Sequence, residues 1–188
     1  ITVPNPIDDF FIKNTYEKKT YQRQDAIFVG DLNHNKNINN VIKAFLLYSH
    51  SNIHSKLHVC GQGPIDIPDH PNIVIHGRVL PQDLINLYRR SEVLILPSHL
   101  ETFGLVYIEA LSQGCKIIGT KNQGIHGYKL SNTFFVNDSN SVEELTATIF
   151  EAFNCNWKPN KHEILRFSKN EISNQYLKLY ESISKHDC

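Results

Sequence analysis

The stretch SEVLILPSHLETFGLVYIEALSQGCKIIGT, residues 91–120, decides the fold of this chain. Its apolar run at 93–96 predicts a short buried parallel strand. A polar loop at 98–102 follows, and the apolar spacing over 104–113 predicts a helix packed on a sheet. Gly114 stands where a glycine commonly ends a helix, and a second strand is predicted from 116–119. The loop of this strand–loop–helix–strand unit lies at the carboxyl end of a strand, where open α/β sheets bind ligands.

Two carboxylates stand out in this unit, because Glu101 in the loop and Glu109 in the helix are its only acids between residues 93 and 120. Each alone has an ordinary interpretation, Glu101 as a solvated loop residue and Glu109 as a helix residue that reaches a backbone amide. Together they lie on the two sides of a helix N-terminus. This suggests a polyol held by carboxylates beside an anion held by backbone N–H groups. A nucleotide-sugar has both features, since ribose and hexose hydroxyls flank its diphosphate.

Strands and helices alternate along most of the remaining chain. Ser141 and Glu144 form a capping-box pattern at the start of one of the helices. The alternation predicts an α/β fold with a doubly wound, Rossmann-like parallel sheet and right-handed crossovers. The other predicted strands are 26–30, 56–60, 72–76 and 133–136, and the other predicted helices run from 38, over 82–90, from 142 to about 153, and over 160–184.

Length and composition bound the function. A chain of 188 residues favours one domain with its own core. The formal net charge of zero and the lack of a basic block argue against a nucleic-acid partner. No apolar run reaches membrane-spanning length. The four cysteines form no C-x-x-C pair and predict reduced thiols in a cytoplasmic protein. No metal site is predicted, because the evenly spaced His50, His54 and His58 fall on a helix end, a loop and a strand.

Three segments resemble retaining glycosyltransferase family four. PSHLETFGLVYIEALSQG (97–114) is similar to its E-x7-E region, VGDLNHNKN (29–37) to its VGR…KN segment, and VCGQGP (59–64) to its VGxGP turn. The resemblance implies the C-terminal donor-binding domain of a two-domain GT-B enzyme. Because ITVPNPID is similar to the string at the family's hinge, we expect residues 1–24 to be hinge and lead-in and 25–188 to be the donor-binding domain. The N-terminal acceptor domain would then be absent.

The resemblance also implies the roles of individual residues. Lys36 and Glu101 would be the catalytic pair, Lys36 on the diphosphate and Glu101 on the transferred sugar, while Glu109 would hold the ribose. Asp31 departs from the family, which has an arginine on the diphosphate at this position, and QGIHG (123–127) departs from its G-G-I-P-E string. The full set of expected donor-binding residues is Gly30, Asp31, Lys36, Gly61, Gly63, Val79, Glu101, Thr102, Phe103, Gly104, Leu105 and Glu109.

The implied reaction is sugar transfer with retention from a UDP- or GDP-linked donor, in polysaccharide or glycoconjugate synthesis, with no metal and no cofactor. The acceptor, a glycan or lipid-linked saccharide, would bind the missing domain, so the chain alone is expected to be inactive. The missing part would also provide any attachment to the inner face of the membrane. Two alternatives stay open: another enzyme on the same fold, such as a nucleotide-sugar epimerase, and a non-catalytic module whose donor site has decayed.

Overall fold

A computed structural model describes residues 3–16, 23–158 and 160–184. Its centre is one sheet of six parallel strands in the order β3-β2-β1-β4-β5-β6. This confirms the doubly wound, Rossmann-like parallel sheet that the sequence predicts. The strands are β1 (Asp25–Val29), β2 (Leu57–Cys60), β3 (Ile73–Gly77), β4 (Ser91–Ile95), β5 (Lys116–Thr120) and β6 (Thr133–Val136).

Helices cover both faces of this sheet. The helices in the described part of the chain are α1 (Asp9–Lys13), α2 (Ile38–Ser49), α3 (Pro81–Arg90), α4 (Leu105–Ser112), α5 (Val142–Asn154), α6 (Lys161–Leu165) and α7 (Lys169–Ser184). Helix α2 packs against α5, and α3 packs on β1 and β4. Since the chain leaves β1 toward one edge of the sheet and β4 toward the other, right-handed crossovers place α2 and α4 on opposite faces.

The strand–loop–helix–strand unit forms as the sequence predicts. Strands β4 and β5 are buried along their whole length, which explains the apolar runs at residues 93–96 and 117–118. Helix α4 ends at Ser112, and Gly114 follows its C-cap with a φ of +81°, in the left-handed region that favours glycine at this position. Ser141 accepts a hydrogen bond from the Glu144 N–H and so caps α5, whereas the Glu144 carboxylate binds the backbone of the preceding turn instead of Ser141.

The structure differs from the sequence-based expectation at both ends. Residues 10–24 carried no predicted element, yet Asp9–Lys13 is a helix whose Phe11 is buried in the core. The single helix predicted over 160–184 is two helices, α6 and α7, with a break at residues 166–168. The Ile7 N–H donates to the carbonyl of Phe167 in this break at 3.0 Å, so the N-terminal segment is pinned to the domain there. The hinge assignment for residues 1–24 stays a prediction.

The order of the strands decides where a ligand can bind. Strand β1 is flanked by β2 on one side and by β4 on the other, so the direction of the crossovers reverses between β1 and β4. The loops that leave these two strands in opposite directions open a crevice at their carboxyl ends. Lys36 lies in the loop after β1 and Glu101 in the loop after β4.

Candidate functional site

Two neighbouring cavities open at the carboxyl ends of the central strands and share Val29, Gly30 and Asp31. The first, here called the β4 cavity, has a volume of about 360 Å³ and is lined by Asn5, Val29, Gly30, Asp31, Lys36, Leu96, Glu101, Thr102, Phe103, Gly104, Leu105 and Val106. The second, here called the β2 cavity, has a volume of about 300 Å³ and is lined by Val29, Gly30, Asp31, Cys60, Gly61, Gln62, Arg78, Val79 and Leu84. Each is of the size that small-molecule sites have.

An ion pair dominates the β4 cavity. The Lys36 ammonium lies 2.6 Å from the Glu101 carboxylate, and the two side chains are 22% and 10% exposed. Because the pair is largely withdrawn from water, its attraction is screened less than that of a surface pair. Its charges cancel, so the cavity gains a fixed arrangement of one donor group and one acceptor group without a net charge from this pair.

The N-terminus of α4 opens into the same cavity. Gly104 is the N-cap residue, its φ of 76° is left-handed, and no side chain caps the helix. A side chain is excluded at this position, since a Cβ on Gly104 would lie 2.5 Å from the ring of Tyr107. The first N–H groups of a helix have no partner within the helix, and the helix dipole adds positive potential there. The cavity therefore combines this helix end with the Lys36 ammonium, an arrangement suited to an anion.

Glu101 is held by its backbone as well as by its side chain. Its N–H donates to the side-chain oxygen of Gln123 at 3.0 Å, and its carbonyl accepts from the Gly124 N–H at 2.8 Å. The 123–127 segment, whose sequence departs from the resembled family, thus supports the loop that carries Glu101. Sequence reasoning missed Gln123 in this role, and it also missed Asn5, which lines the cavity from the N-terminal segment.

Gly61 allows two backbones to approach each other closely at the rim of the β2 cavity. A Cβ on Gly61 would lie 1.8 Å from the carbonyl oxygen of Gly30, and one on Gly63 would lie 2.3 Å from that of Leu32. The Gly30 N–H donates to the Cys60 carbonyl, and the Leu32 N–H to that of Gln62. The G-x-G sequence therefore serves packing between the loops after β1 and β2.

The floor and wall of the β2 cavity offer few reactive groups. Burial raises the pKa of the Cys60 thiol to about 12, so it remains protonated and is not a nucleophile near neutral pH. Gln62, Arg78 and the exposed Asp31 supply polar atoms around the apolar Val79. This lining suits an apolar, planar group with polar edges.

Glu109 lies apart from both cavities. It is half-buried on α4, one turn beyond the residues that line the β4 cavity. Burial raises its pKa to about 7, the hydroxyl of Tyr88 acts in the opposite direction, and the charge of Asp8 raises the pKa further. Near neutral pH this carboxyl is therefore close to half protonated. Its role as a ribose contact stays a prediction.

The structure thus brings most of the expected donor-binding residues together. Gly30, Asp31, Lys36 and residues 101–105 line the β4 cavity, and Gly61 and Val79 line the β2 cavity beside it. Gly63 lines a shallower neighbouring depression with Gly61 and Gln62. Glu109 lines none of these cavities.

No group of three or more histidine, cysteine, aspartate or glutamate side chains in the described ranges could hold a metal ion. The ring nitrogens of His58 on β2 lie 3.3 Å from Asp25 and 2.9 Å from His76, and none of these three residues lines either cavity. In the part of the chain that the structure describes, no helix is both long and apolar enough to cross a membrane.

The sequence matches the family described as glycosyl transferases group 1 over residues 10–171. Among individual relatives, a D-inositol 3-phosphate glycosyltransferase of Saccharomonospora viridis is 43% identical over 44 residues. That match covers 23% of this chain and 10% of the relative.

Solved structures resemble the whole domain. The pneumococcal O-GlcNAc transferase, solved in complex with UDP and GlcNAc, has a TM-score of 0.71 and 19% identity; the match covers 97% of this chain and 40% of that one. The C-terminal domain of a glycosyl transferase group 1 family protein from Francisella tularensis has a TM-score of 0.64 and 16% identity, with 86% and 94% covered. At these identities the likeness concerns the fold, and the chain spans less than half of the pneumococcal transferase chain.

Proposed function

This chain belongs to the glycosyl transferases group 1 family, and on that basis we propose that it binds a nucleoside-diphosphate sugar as the donor half of a retaining glycosyltransferase. The observation that carries the proposal is the Lys36–Glu101 ion pair at the reversal point of the sheet, beside the open N-terminus of α4. A cation, a carboxylate and the first backbone N–H groups of α4 thus lie in one cavity of about 360 Å³.

The diphosphate would bind between Lys36 and the start of α4. An ammonium group has three N–H donors, so Lys36 can keep its contact with Glu101 and still bind a phosphate oxygen. The N–H groups at residues 104–106 would take the other oxygens. Both elements would stabilise the negative charge that grows on the departing nucleoside diphosphate in the transition state. No metal ion is part of this scheme, because the Lys36 ammonium and the N-terminus of α4 supply the hydrogen-bond donors for the phosphate oxygens.

The two ends of the donor would lie on either side of the diphosphate. Glu101 would accept hydrogen bonds from hydroxyls of the transferred sugar, and the nucleoside would enter the β2 cavity beside Val79. A UDP-linked sugar is the first candidate, since the pneumococcal transferase with this fold was solved with UDP; GDP-linked sugars are the second. The acceptor, a glycan or lipid-linked saccharide, would be bound by a part outside this chain.

Asp31 favours a second candidate, a donor-fold module that does not catalyse transfer. Asp31 is exposed and lines both cavities, so its carboxylate would repel a diphosphate that it faced. A module of this kind would bind nucleotides weakly and serve interaction or regulation. The two candidates differ in the affinity for nucleotide-sugars.

Calorimetric titration tests the proposal. UDP, GDP, UDP-glucose and GDP-mannose are titrated into the parent chain and two variants. Lys36→Gln should weaken every ligand that the parent binds by about tenfold, because it removes a charge-assisted hydrogen bond to the diphosphate. Glu101→Gln should weaken the sugar-bearing ligand relative to the free nucleoside diphosphate, and the free nucleoside diphosphate should lose no affinity, because the variant leaves the Lys36 charge uncompensated.

Lys43→Gln is the matched control for the lysine, because Lys43 is exposed on α2 and lines neither cavity. Thermal melting of each variant separates a loss of binding from a loss of folding. Parent protein that binds none of the four ligands would contradict the proposal. An equal loss for both ligand types in Glu101→Gln would show that the sugar lies elsewhere.

A further inference from the structure

Three consecutive residues of the loop after β1 contact the loop after β4. Lys36 forms the ion pair with Glu101 described above. The residues on either side of it, Asn35 and Asn37, donate side-chain hydrogen bonds to the carbonyls of Leu100 and Pro97. The lysine is therefore flanked by two amide side chains that both bind the loop carrying its partner.

The contact of Asn35 has two points. Its side-chain oxygen accepts from the Leu100 N–H at 3.0 Å, and its side-chain nitrogen donates to the Leu100 carbonyl at 3.0 Å. The His99 N–H adds a bond to the Asn35 carbonyl at 2.9 Å. A single amide side chain thus satisfies both backbone groups of the residue that immediately precedes Glu101. Two parallel hydrogen bonds restrict the orientation of a segment more than one bond does.

Asn37 fixes the other end of the contact. Its backbone is left-handed with a φ of 59°, and its side chain reaches the carbonyls of Pro97 at 3.2 Å and Ser139 at 2.6 Å. It is 5% exposed, so its amide belongs to the core of the domain. Asn35, by contrast, is exposed and lines neither cavity. Its bonds to Leu100 therefore serve neither core packing nor direct contact with a ligand in the cavities.

We infer that Asn35 is a positioning residue, which holds the loop at residues 98–101 so that the Glu101 carboxylate meets the donor sugar in a preset orientation. The inference rests on the proposed function for its ligand, the nucleotide-sugar. The loop that carries Lys36 thus holds Glu101 in two ways, directly through the ion pair and indirectly through the hydrogen bonds from Asn35 to Leu100. Polar groups that the protein already holds in place bind a ligand without the entropic cost of ordering those groups on binding.

The test compares Asn35→Ala with Asn39→Ala. Asn39 is an exposed asparagine on α2 whose side chain makes no hydrogen bond with the described residues, so its variant is a matched control. Asn35→Ala should weaken the nucleotide-sugar that the parent binds, UDP-glucose or GDP-mannose, by about fivefold, the scale of coupling within one hydrogen-bond network. Free UDP or GDP should change by less than about twofold in the same variant.

A double-mutant cycle with Glu101→Gln separates positioning from general damage. If Asn35 acts through Glu101, adding Asn35→Ala to Glu101→Gln should cost almost no further affinity for the nucleotide-sugar. If the double variant loses as much affinity for the nucleotide-sugar as the product of the two single losses, the inference is overturned. An equal loss of nucleotide-sugar and free nucleotide in Asn35→Ala would overturn it as well.

Amide hydrogen exchange measured by NMR tests the positioning without any ligand. The N–H groups of Leu100 and Glu101 should exchange at least about tenfold faster in Asn35→Ala, while those in the middle of α2 keep the parent rates. An unchanged Glu101 exchange rate would overturn the inference even if the parent binds nucleotide-sugars. If the parent binds none of them, the proposed function fails, and the exchange rates alone decide whether Asn35 holds this loop.

Discussion

Glu109 provides the sharpest test of how the structure controls a carboxylate. Its pKa is raised from 4.5 to about 7 by burial on α4. The folded protein therefore binds more protons than the unfolded chain between these two pH values. Consequently, this group's contribution to the free energy of unfolding is fully present below pH 4.5 and is lost as the pH rises through about 7.

The magnitude follows from the shift. One pKa unit corresponds to about 1.4 kcal/mol, so the interval from 4.5 to about 7 corresponds to about 3 kcal/mol in total. Between pH 5 and pH 8 the parent should lose about 2.5 kcal/mol of stability through this group. Glu109→Gln keeps the shape of a protonated carboxyl and carries no charge, so it should lose none of that amount. The variant should become more stable relative to the parent by about 2.5 kcal/mol as the pH is raised from 5 to 8.

Urea unfolding of both proteins at pH 5 and pH 8 measures this difference. Other groups whose pKa changes on folding, such as Asp25, whose pKa is lowered by hydrogen bonds to His58 and Lys56 that outweigh its burial, are common to both proteins and cancel in the comparison. Glu151→Gln, on the exposed side of α5, is the control and should differ from the parent by similar amounts at both pH values. A relative stability of Glu109→Gln that does not change with pH, or that falls as the pH rises, would refute the reasoning.

Three further predictions concern Asp31, Gly61 and the activity of the chain alone. Asp31→Arg should tighten nucleoside-diphosphate binding by about 1–2 kcal/mol if residue 31 faces the diphosphate, because it replaces a repulsive charge with a charge-assisted donor; calorimetry that finds no change would show that the side chain points away. Gly61→Ala should lower the free energy of unfolding by about 3 kcal/mol, since its Cβ would lie 1.8 Å from the Gly30 carbonyl. Gly77→Ala is the control: its added Cβ would have no atom within 4 Å, and only the left-handed φ of +64° would be strained, so the free energy of unfolding in the same urea titration should fall by about 1 kcal/mol. Equal losses for the two glycines would contradict the close approach at Gly61. Finally, the chain alone should transfer no sugar from UDP-glucose at a useful rate, because catalysis of transfer depends on holding donor and acceptor together, and robust transfer in a product assay would contradict the donor-half interpretation.

The local pattern of apolar residues was enough to predict most of the strands and helices. The apolar runs at β1, β2, β4 and β5 and the apolar spacing of α2 and α4 are properties of adjacent residues, so strands and helices could be assigned without knowing the neighbours they pack on. The alternation of the two element types then restricts the topology to a doubly wound sheet. The N-terminal helix α1 and the break between α6 and α7 escaped prediction. Helix α1 has five residues, too few for a periodic pattern, and at the break Phe167 accepts a hydrogen bond from Ile7, a residue that no local pattern connects to it.

The sequence by itself predicted many of the residues that line the two cavities, including Lys36 and Glu101, whereas only the tertiary structure added Asn5 and Gln123, left Glu109 outside the cavities and decided which residues meet. Lys36 and Glu101 are 65 positions apart, and their contact exists because β1 and β4 lie side by side and send their loops into one crevice. The same holds for Asn35 and Leu100, and for Gln123 and Glu101. The pKa of Glu109 is likewise set first by its burial and then by Tyr88 and Asp8, which no local pattern connects to it. Residue spacing specifies backbone conformation, but charge pairing and burial depend on distances between segments, and only the packed sheet sets those distances.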